Sequence, residues 1–254
     1  GPASGHNPVS YAAFLETQKR GIELVAIWQG WKGLIQESLV NQARPLTLGD
    51  IEPHRYEGGT ILLTSRENPY KKENIEKGQP DLLWKNIQAL RLDGLMTLGG
   101  DDTNSVSFRL QQDHPEFPVI GLPKTMDNDI DLPYGASTYG FDSFVQAAVP
   151  SVRNGIIDAI STNRILVVES FGRSAGFAPL RIGALVKASR TLIPEEHNLD
   201  LEKLLFDLSN YHKQNGYAAV IVSEGVKIDK NSAHNADILE KAFAKDPVAK
   251  IAFH

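Results

Sequence analysis

Cysteine is absent from this 254-residue chain. That absence excludes disulfides, cysteine-ligated zinc, iron–sulfur clusters and a thiol nucleophile, and it fits a reducing compartment. Long hydrophobic runs are missing as well. The longest, such as Ala218–Val222 and Ile165–Val168, have strand length, far short of the ~20 residues a membrane span needs. The N-terminus carries no basic segment leading into an apolar stretch, so no secretory signal is read there. Positive charge is not in excess: 26 Lys and Arg face 31 Asp and Glu, a net charge of −5. That balance is too acidic and too evenly mixed for a dedicated nucleic-acid binder, although it says nothing of one pocket. The seven histidines show no metal-ligand spacing, and neither an internal repeat nor a low-complexity tract is visible. These absences lead to the expectation of a cytoplasmic protein with no membrane and no nucleic-acid partner.

What is present is a core-forming composition. Hydrophobic residues make up 41% of the chain, which rules out disorder as the overall description. The length suits one large domain or two lobes, at roughly 150 residues per domain. Apolar runs of strand length fall at Glu23–Trp28, Leu92–Leu98, Phe117–Leu122, Arg164–Glu169 and Tyr217–Ser223. Helical patterns fall between them, at Pro8–Lys19, Asp81–Leu90, Ser105–Gln112, Gly140–Ile160, Phe177–Ser189 and Asp200–Gln214. Continuous apolar strands alternating with helices predict an α/β fold whose parallel sheets are covered on both faces. The turn-rich Pro133–Thr138 stretch marks the expected lobe break. Sheets of this kind bind ligands at the carboxyl ends of their strands, so the residues just after each strand carry the functional reading.

Gly99-Gly100-Asp101-Asp102-Thr103-Asn104-Ser105 follows one strand. Two glycines let backbone amides approach a ligand. Asn104 or Ser105 can cap the next helix, whose positive end favours an anion, and Asp101 can hold Mg²⁺. After the next strand comes Pro123-Lys124-Thr125-Met126-Asp127-Asn128-Asp129. There one carboxylate can take a proton from a hydroxyl, the other can orient it or serve a metal, and Lys124 offers a point charge for phosphate. Ser170-Phe171-Gly172-Arg173 follows a third strand. An arginine at a helix start is disfavoured by the helix dipole and suits an anion, such as a transferring phosphoryl group. Gly58-Gly59-Thr60, Thr64-Ser65-Arg66 and Glu224 complete the set. Each segment alone also reads as an ordinary strand–helix turn or solvated loop. Together they hold metal-binding carboxylates, phosphate-binding cations and one candidate base, which are the parts of phosphoryl transfer.

GGDDTNS, PKTMDNDI, RILVVESFGRSAGF and IPEE, in this order and spacing, resemble the phosphofructokinase family. The opening Gly1–Asn7 resembles the family's glycine-rich turn, with Ser4 where a proline is usual. The resemblance runs from residue 1 to about Val226. It implies two Rossmann-like lobes with mostly parallel sheets. The first strand and the C-terminal segment are missing from this stretch, which reads as part of a longer chain. It further implies residues 1–138 as the phosphoryl-donor lobe and 139–254 as an incomplete sugar-phosphate lobe. The family phosphorylates the 1-hydroxyl of fructose 6-phosphate with Mg²⁺. By motif position, Asp127 would be the general base and Thr125 would contact the transferred phosphate. Asp129 would support base and metal, and Asp101 would belong to the Mg²⁺ site. Arg66 and Arg173 would stabilise the transferred group, and Gly1, Gly100, Asp102 and Lys124 would meet the donor. Phe171, Gly172 and Glu224 would line the sugar pocket, while Arg164 would serve a neighbouring subunit in a homodimer or homotetramer with shared sites.

The donor follows from charge. ATP-dependent members generally have glycine where Asp102 stands and often where Lys124 stands. An aspartate there fills the path of a nucleotide α-phosphate and repels it, while Lys124 suits compact pyrophosphate. The pair resembles the pyrophosphate-dependent branch, whose reaction is near-reversible. The alternatives are an ATP-dependent 6-phosphofructokinase, a non-catalytic regulatory subunit of such an enzyme, and an NAD or lipid kinase sharing only the GGD turn. The retained Asp127 and Arg173 oppose the second of these, and the PKT and FGR motifs oppose the third. Leu63 stands where a glycine is common, and Phe171 where methionine is. His197 is expected at a helix start. Trp28, Trp31 and Trp84 are expected in packing, with Trp31 near the place where ATP-dependent members hold an aromatic.

Overall fold

The structure is a computed structural model that describes residues 5–39, 42–196, 199–228, 235, 237, 238 and 240. The expectations for Gly1 and His197 lie outside the described residues. The chain divides into two compact units. The first comprises Gly1–Met126 and Ile130–Phe144, the second Asp127–Asp129 and Val145–His254.

In the first unit, helix α1 (His6–Lys19) leads to strand β1 (Val25–Ile27), the single turn α2 (Trp31–Leu34) and strand β2 (Ala43–Pro45). Three short helices follow: α3 (Leu48–Ile51), the 3₁₀ turn Glu52–His54 and α4 (Lys72–Ile75). Thr47 starts α3 through a capping box, its hydroxyl accepting from the Asp50 amide while the Asp50 carboxylate accepts from the Thr47 amide. Helix α5 (Gln79–Ala89) then precedes β3 (Leu95–Gly99), α6 (Asp101–Asp113), β4 (Val119–Thr125) and the two-residue β5 (Tyr139–Gly140). β3, β4 and β5 pair in parallel in that order, with Leu95 opposite Val119 and Thr125 opposite Gly140. β1 and β2 form a separate antiparallel ribbon, a departure from the parallel pattern that the sequence did not announce. The core is set by i, i+4 pairs: Leu83 and Ile87 on α5, and Val106 and Leu110 on α6, close around Trp31, Leu34 and Phe117. Each such side chain contributes about 1.5–3 kcal/mol by burial. A second cluster joins Phe14 of α1 to Ala26, Leu46 and Ile51.

Helix α7 (Phe141–Thr162) begins in the first unit and continues into the second. There follow β6 (Ile165–Ser170), α8 (Phe177–Val186), β7 (Arg190–Leu192), α9 (Leu201–Asn215) and β8 (Ala218–Ser223). The sheet order is β6-β8-β7, all parallel. β8 is central and is buried at five of its six positions, as a strand covered on both faces must be. Leu208 of α9 packs on Leu192, Ala218 and Val220 on one face. On the other, Gly183 of α8 lies against Thr191, and Gly155 of α7 against Leu166. α9 is started by the Asp200 carboxylate, which accepts from the Lys203 amide, and ended by Gly216 at φ 76. Parallel sheets alternating with helices in both units agree with the α/β fold expected from the sequence. Of the expected tryptophans, Trp31 lies in the larger core, Trp84 packs against it, and Trp28 packs against the smaller cluster. Among the described residues no helix is long and apolar enough to cross a membrane.

Candidate active site

β3 ends on Gly99, and the two glycines there have different surroundings. A Cβ on Gly99 would overlap the Thr103 hydroxyl and stand 2.6 Å from Thr103 Cβ, whereas one on Gly100 would meet nothing nearer than the Lys124 carbonyl oxygen at 3.8 Å. Gly99 is therefore required by helix–strand packing, and Gly100 leaves open space in front of the strand end. The expected cap by Asn104 or Ser105 is not what forms. α6 starts four residues earlier, with Gly100 as N-cap and no side-chain cap bond. Asn104 instead donates to the carbonyls of Gly99 and Gly100, at 2.8 and 3.0 Å, and its own oxygen lies where a side chain on Gly121 would be. Ser105 donates to the Asp102 carbonyl. The amides of the first helical turn thus remain available at the GGD turn, with Asp101 and Asp102 both exposed beside them. Two carboxylates favour the positive end of the helix but repel a bare polyanion, so an anion bound here needs a cation with it.

Lys124 and Thr125, at the end of β4, are buried at 9% and 8% exposure. Thr138 donates to the Thr125 carbonyl at 2.7 Å. At Tyr139–Gly140, beside this strand end, Gly5 approaches so closely that a Cβ would lie 3.3 Å from the Gly140 nitrogen; its φ of +109 adds a second reason for glycine. Asn7, buried in the first turn of α1, accepts from the Ile61 amide at 3.0 Å and donates to the Glu57 and Gly58 carbonyls. It ties the N-terminal turn to the Gly58–Thr60 loop. Further along, Ser65 donates to the Gln29 carbonyl at 2.7 Å, and Arg66 is exposed. Leu63, where a glycine is common, lies in the left-handed region at φ 60 and is 56% exposed.

In the second unit Asp127 and Arg173 come together. Arg173 Nε lies 3.9 Å from Asp127 Oδ2; the carboxylate side chain is 12% exposed and the guanidinium side chain 69%. Arg173 adopts φ 48, uncommon for a residue with a Cβ. Glu224, at the end of β8, fixes that turn: its Oε1 accepts from the amides of Gly172 at 3.2 Å and Arg173 at 3.0 Å. Gly172 is buried, with space for a hydrogen only; a Cβ would stand 2.5 Å from the Ala175 carbonyl oxygen. Phe171 is 56% exposed. Asp129 is exposed. Arg164 precedes β6, whereas Phe171, Gly172 and Arg173 follow it, so Arg164 lies at the other end of that strand.

Among the described residues no group of three or more His, Asp or Glu is placed to hold a metal ion. Mg²⁺ commonly takes one or two protein carboxylates and completes its shell from substrate phosphates and water. The exposed Asp101 fits that shared kind of site and does not fit an all-protein cage. Of Asn7, Asn104 and Glu195, the sequence singled out only Asn104, and as a helix cap rather than as a donor to the Gly99 and Gly100 carbonyls. Their bonds join segments remote in the chain or turn back on backbone carbonyls, and only the N-terminal motif and the IPEE turn hinted at two of them.

Parallel α/β units, with a glycine turn open at a helix start in one and a buried carboxylate beside an arginine in the other, place the chain in the doubly wound class, whose ligands bind at strand ends. Known proteins narrow the class. The sequence pattern of the family described as "Phosphofructokinase" matches residues 1–252, and the chain belongs to that family. It is 38% identical over 200 residues to a pyrophosphate–fructose 6-phosphate 1-phosphotransferase of Thermotoga maritima, covering 77% of this chain and 46% of that one. An ATP-dependent 6-phosphofructokinase of a Sulfurihydrogenibium species is 31% identical, covering 100% of this chain and 74% of its own length. Among solved structures, the pyrophosphate-dependent phosphofructokinase of Marinobacter aquaeolei superposes with a TM-score of 0.77 at 20% identity, over 95% of this chain and 63% of that one. The chain spans about half the length of the Thermotoga relative.

Proposed function

We propose that the full-length protein transfers a phosphoryl group from pyrophosphate to the 1-hydroxyl of fructose 6-phosphate. The products are fructose 1,6-bisphosphate and orthophosphate. The observation that carries this reading is the pairing of buried Asp127 with Arg173 at 3.9 Å, on a turn held by Glu224. In the forward direction Asp127 accepts the proton of the sugar hydroxyl. The hydroxyl oxygen forms the new P–O bond as the bond to the bridging oxygen of pyrophosphate breaks, and orthophosphate leaves. Arg173 offsets charge on the transferred group, as does Arg66, and Thr125 orients it. Gly100 gives the diphosphate access to the first-turn amides of α6, and Lys124 supplies a fixed positive charge. Asp101 would hold Mg²⁺, which supplies charge neutralisation of the diphosphate when bound. Phe171, Gly172 and Glu224 contact the sugar, Asp129 supports the base, and Arg164 serves a neighbouring subunit of a homo-oligomer. The reading places the protein in the cytoplasm.

Asp102 supports pyrophosphate over ATP, because an exposed carboxylate beside Gly100 opposes a nucleotide α-phosphate. ATP dependence is the second reading, favoured by the ATP-dependent relative that matches the whole chain. Fructose 1,6-bisphosphate formation by the full-length protein, with Mg²⁺ and either pyrophosphate or ATP, separates the two. Turnover with pyrophosphate alone supports the proposal, turnover with ATP alone overturns the donor, and activity with neither transfers weight to a regulatory subunit.

A further inference from the structure

Two carboxylates bind backbone amides of the 172–176 turn, and the sequence reading assigned a function to only one of them. Glu195 Oε1 accepts from the Gly176 amide at 2.8 Å, across 19 residues of sequence. Gly176 is the N-cap of α8 and forms no side-chain cap bond of its own, so Glu195 supplies from outside an acceptor and a negative charge at the helix start. The fit is close. A Cβ on Gly176 would stand 2.7 Å from Glu195 Oε2 and 2.5 Å from Ile193 Cβ. The same segment reaches the Arg173 end of the turn. A Cβ on Gly225 would overlap the Arg173 carbonyl and lie 3.0 Å from Pro194 Cγ, so Arg173, Pro194 and Gly225 crowd one place. Within the turn the Ala175 amide donates to the Gly172 carbonyl at 2.8 Å. The 172–176 turn is thus held at one end by Glu224 and at the other by Glu195, with Arg173 between them in a backbone conformation that its Cβ disfavours.

We propose that Glu195 is a positioning residue for Arg173: by anchoring the Gly176 amide it keeps the turn in the left-handed form that sets the guanidinium beside Asp127. The proposal rests on the phosphoryl-transfer reading, in which Arg173 meets the transferred group. Without the anchor the turn relaxes and the guanidinium leaves its place, and a displacement of about 1 Å costs on the order of 100-fold in rate. Glu195→Ala is expected to lower kcat by about 10- to 100-fold with a smaller change in KM. Glu195→Gln keeps a carbonyl oxygen at the same place and is expected to recover most of that loss.

The deciding experiment is a double-mutant cycle in the full-length enzyme. If Glu195 acts through Arg173, Glu195→Ala costs little more once Arg173 is already Ala; an equal loss in both backgrounds overturns the proposal. Amide hydrogen exchange gives a readout that needs no turnover. Faster exchange at Arg173 and Ala175 in Glu195→Ala, by about tenfold, supports positioning, and a change confined to Gly176 overturns it. Should the parent enzyme use neither pyrophosphate nor ATP, the phosphoryl-transfer reading falls, and the exchange pattern decides on its own whether Glu195 sets the Arg173 turn.

Discussion

Adjacent glycines at the end of β3 should respond to the same substitution in opposite ways. Alanine at position 99 puts a methyl 2.6 Å from Thr103 Cβ and 2.9 Å from Thr103 Cγ2. Rotating the threonine cannot relieve a contact with its own Cβ, so α6 must move away from the strand by about an ångström. Overpacking of that kind costs about 1–3 kcal/mol. At ~2–4 °C per kcal/mol for a protein of this size, the unfolding midpoint falls by about 2–12 °C. Alanine at position 100 meets only the Lys124 carbonyl oxygen at 3.8 Å, an ordinary contact, on a backbone at φ −80 that any residue adopts. The loss of a favoured N-cap residue and the gain from a stiffer unfolded chain nearly cancel, leaving stability within about 0.5 kcal/mol. On the proposed reading, the added methyl occupies the open space through which a diphosphate would reach the first-turn amides. Losing one charge-assisted hydrogen bond there costs about 1.5–3 kcal/mol, so the donor KM of Gly100→Ala should rise about 10- to 150-fold. Thermal unfolding and steady-state kinetics on both variants measure this. Gly100→Ala with an unchanged donor KM, or with a stability loss equal to that of Gly99→Ala, refutes the division between a packing glycine and a ligand glycine.

Asp127→Ser should lower kcat by about 10²- to 10⁴-fold with little change in the fructose 6-phosphate KM, and near-normal kcat removes the base assignment. Asp102→Gly combined with Lys124→Gly should shift the ATP-to-pyrophosphate preference toward ATP by about five- to tenfold, because the opposing charge is solvent-screened; competition assays read the ratio, and an unmoved ratio defeats the charge argument. Leu63→Gly removes about 1–2 kcal/mol of left-handed strain against ~0.5–1 kcal/mol of added chain entropy, so calorimetry should show a slightly raised unfolding midpoint, and a lowered one contradicts the strain. The Asp50 carboxyl is held well below the usual range by its hydrogen bonds to Arg44 and then Thr47. A depressed folded-state pKa contributes stability above the unfolded-state value, and that stability is lost as pH falls. Urea titrations of Asp50→Asn should therefore show a shallower fall of stability below about pH 4 than the parent protein; identical slopes would show that the bridge contributes nothing.

The long elements were legible because their apolar spacing repeats often enough to be read. β6 and β8 fall within a residue or two of the apolar runs that announced them, and α5 and α9 follow the same rule. The short elements were not legible. β2, β5 and β7 have three, two and three residues, too few for a periodicity to form; β5 and β7 exist because the longer β4 and β8 offer them hydrogen bonds, and β2 pairs with the equally short β1. The start of α6 was misread for a related reason. Its apolar stripe begins at Val106, while the turn before it is polar and exposed, so the sequence suggested a cap at Asn104 or Ser105. At the site, the sequence marked Asp127 and Arg173, but not that they would lie 3.9 Å apart. It placed Glu224 at a strand end, but not the two amides 51 and 52 residues away that the carboxylate accepts. Residue chemistry is visible locally, and partners separated by the fold are not.

That distinction sorts the acidic residues at these strand ends. Glu195 and Glu224 accept backbone amides; their negative charge is matched to peptide dipoles, so they can shape a turn without needing a cation. Asp101 and Asp102 stand exposed in the first turn of a helix, where the dipole favours them but a polyanionic donor would not, unless a divalent cation comes with it. Asp127 alone is buried and placed beside a guanidinium. A carboxylate removed from water and set next to a cation is costly for structure alone, because well-packed apolar residues would stabilise the same place as well or better. On the proposed phosphoryl-transfer reading, chemistry supplies the reason for it: a base held against the hydroxyl it would deprotonate, with the positive charge already in place for the phosphoryl group that follows.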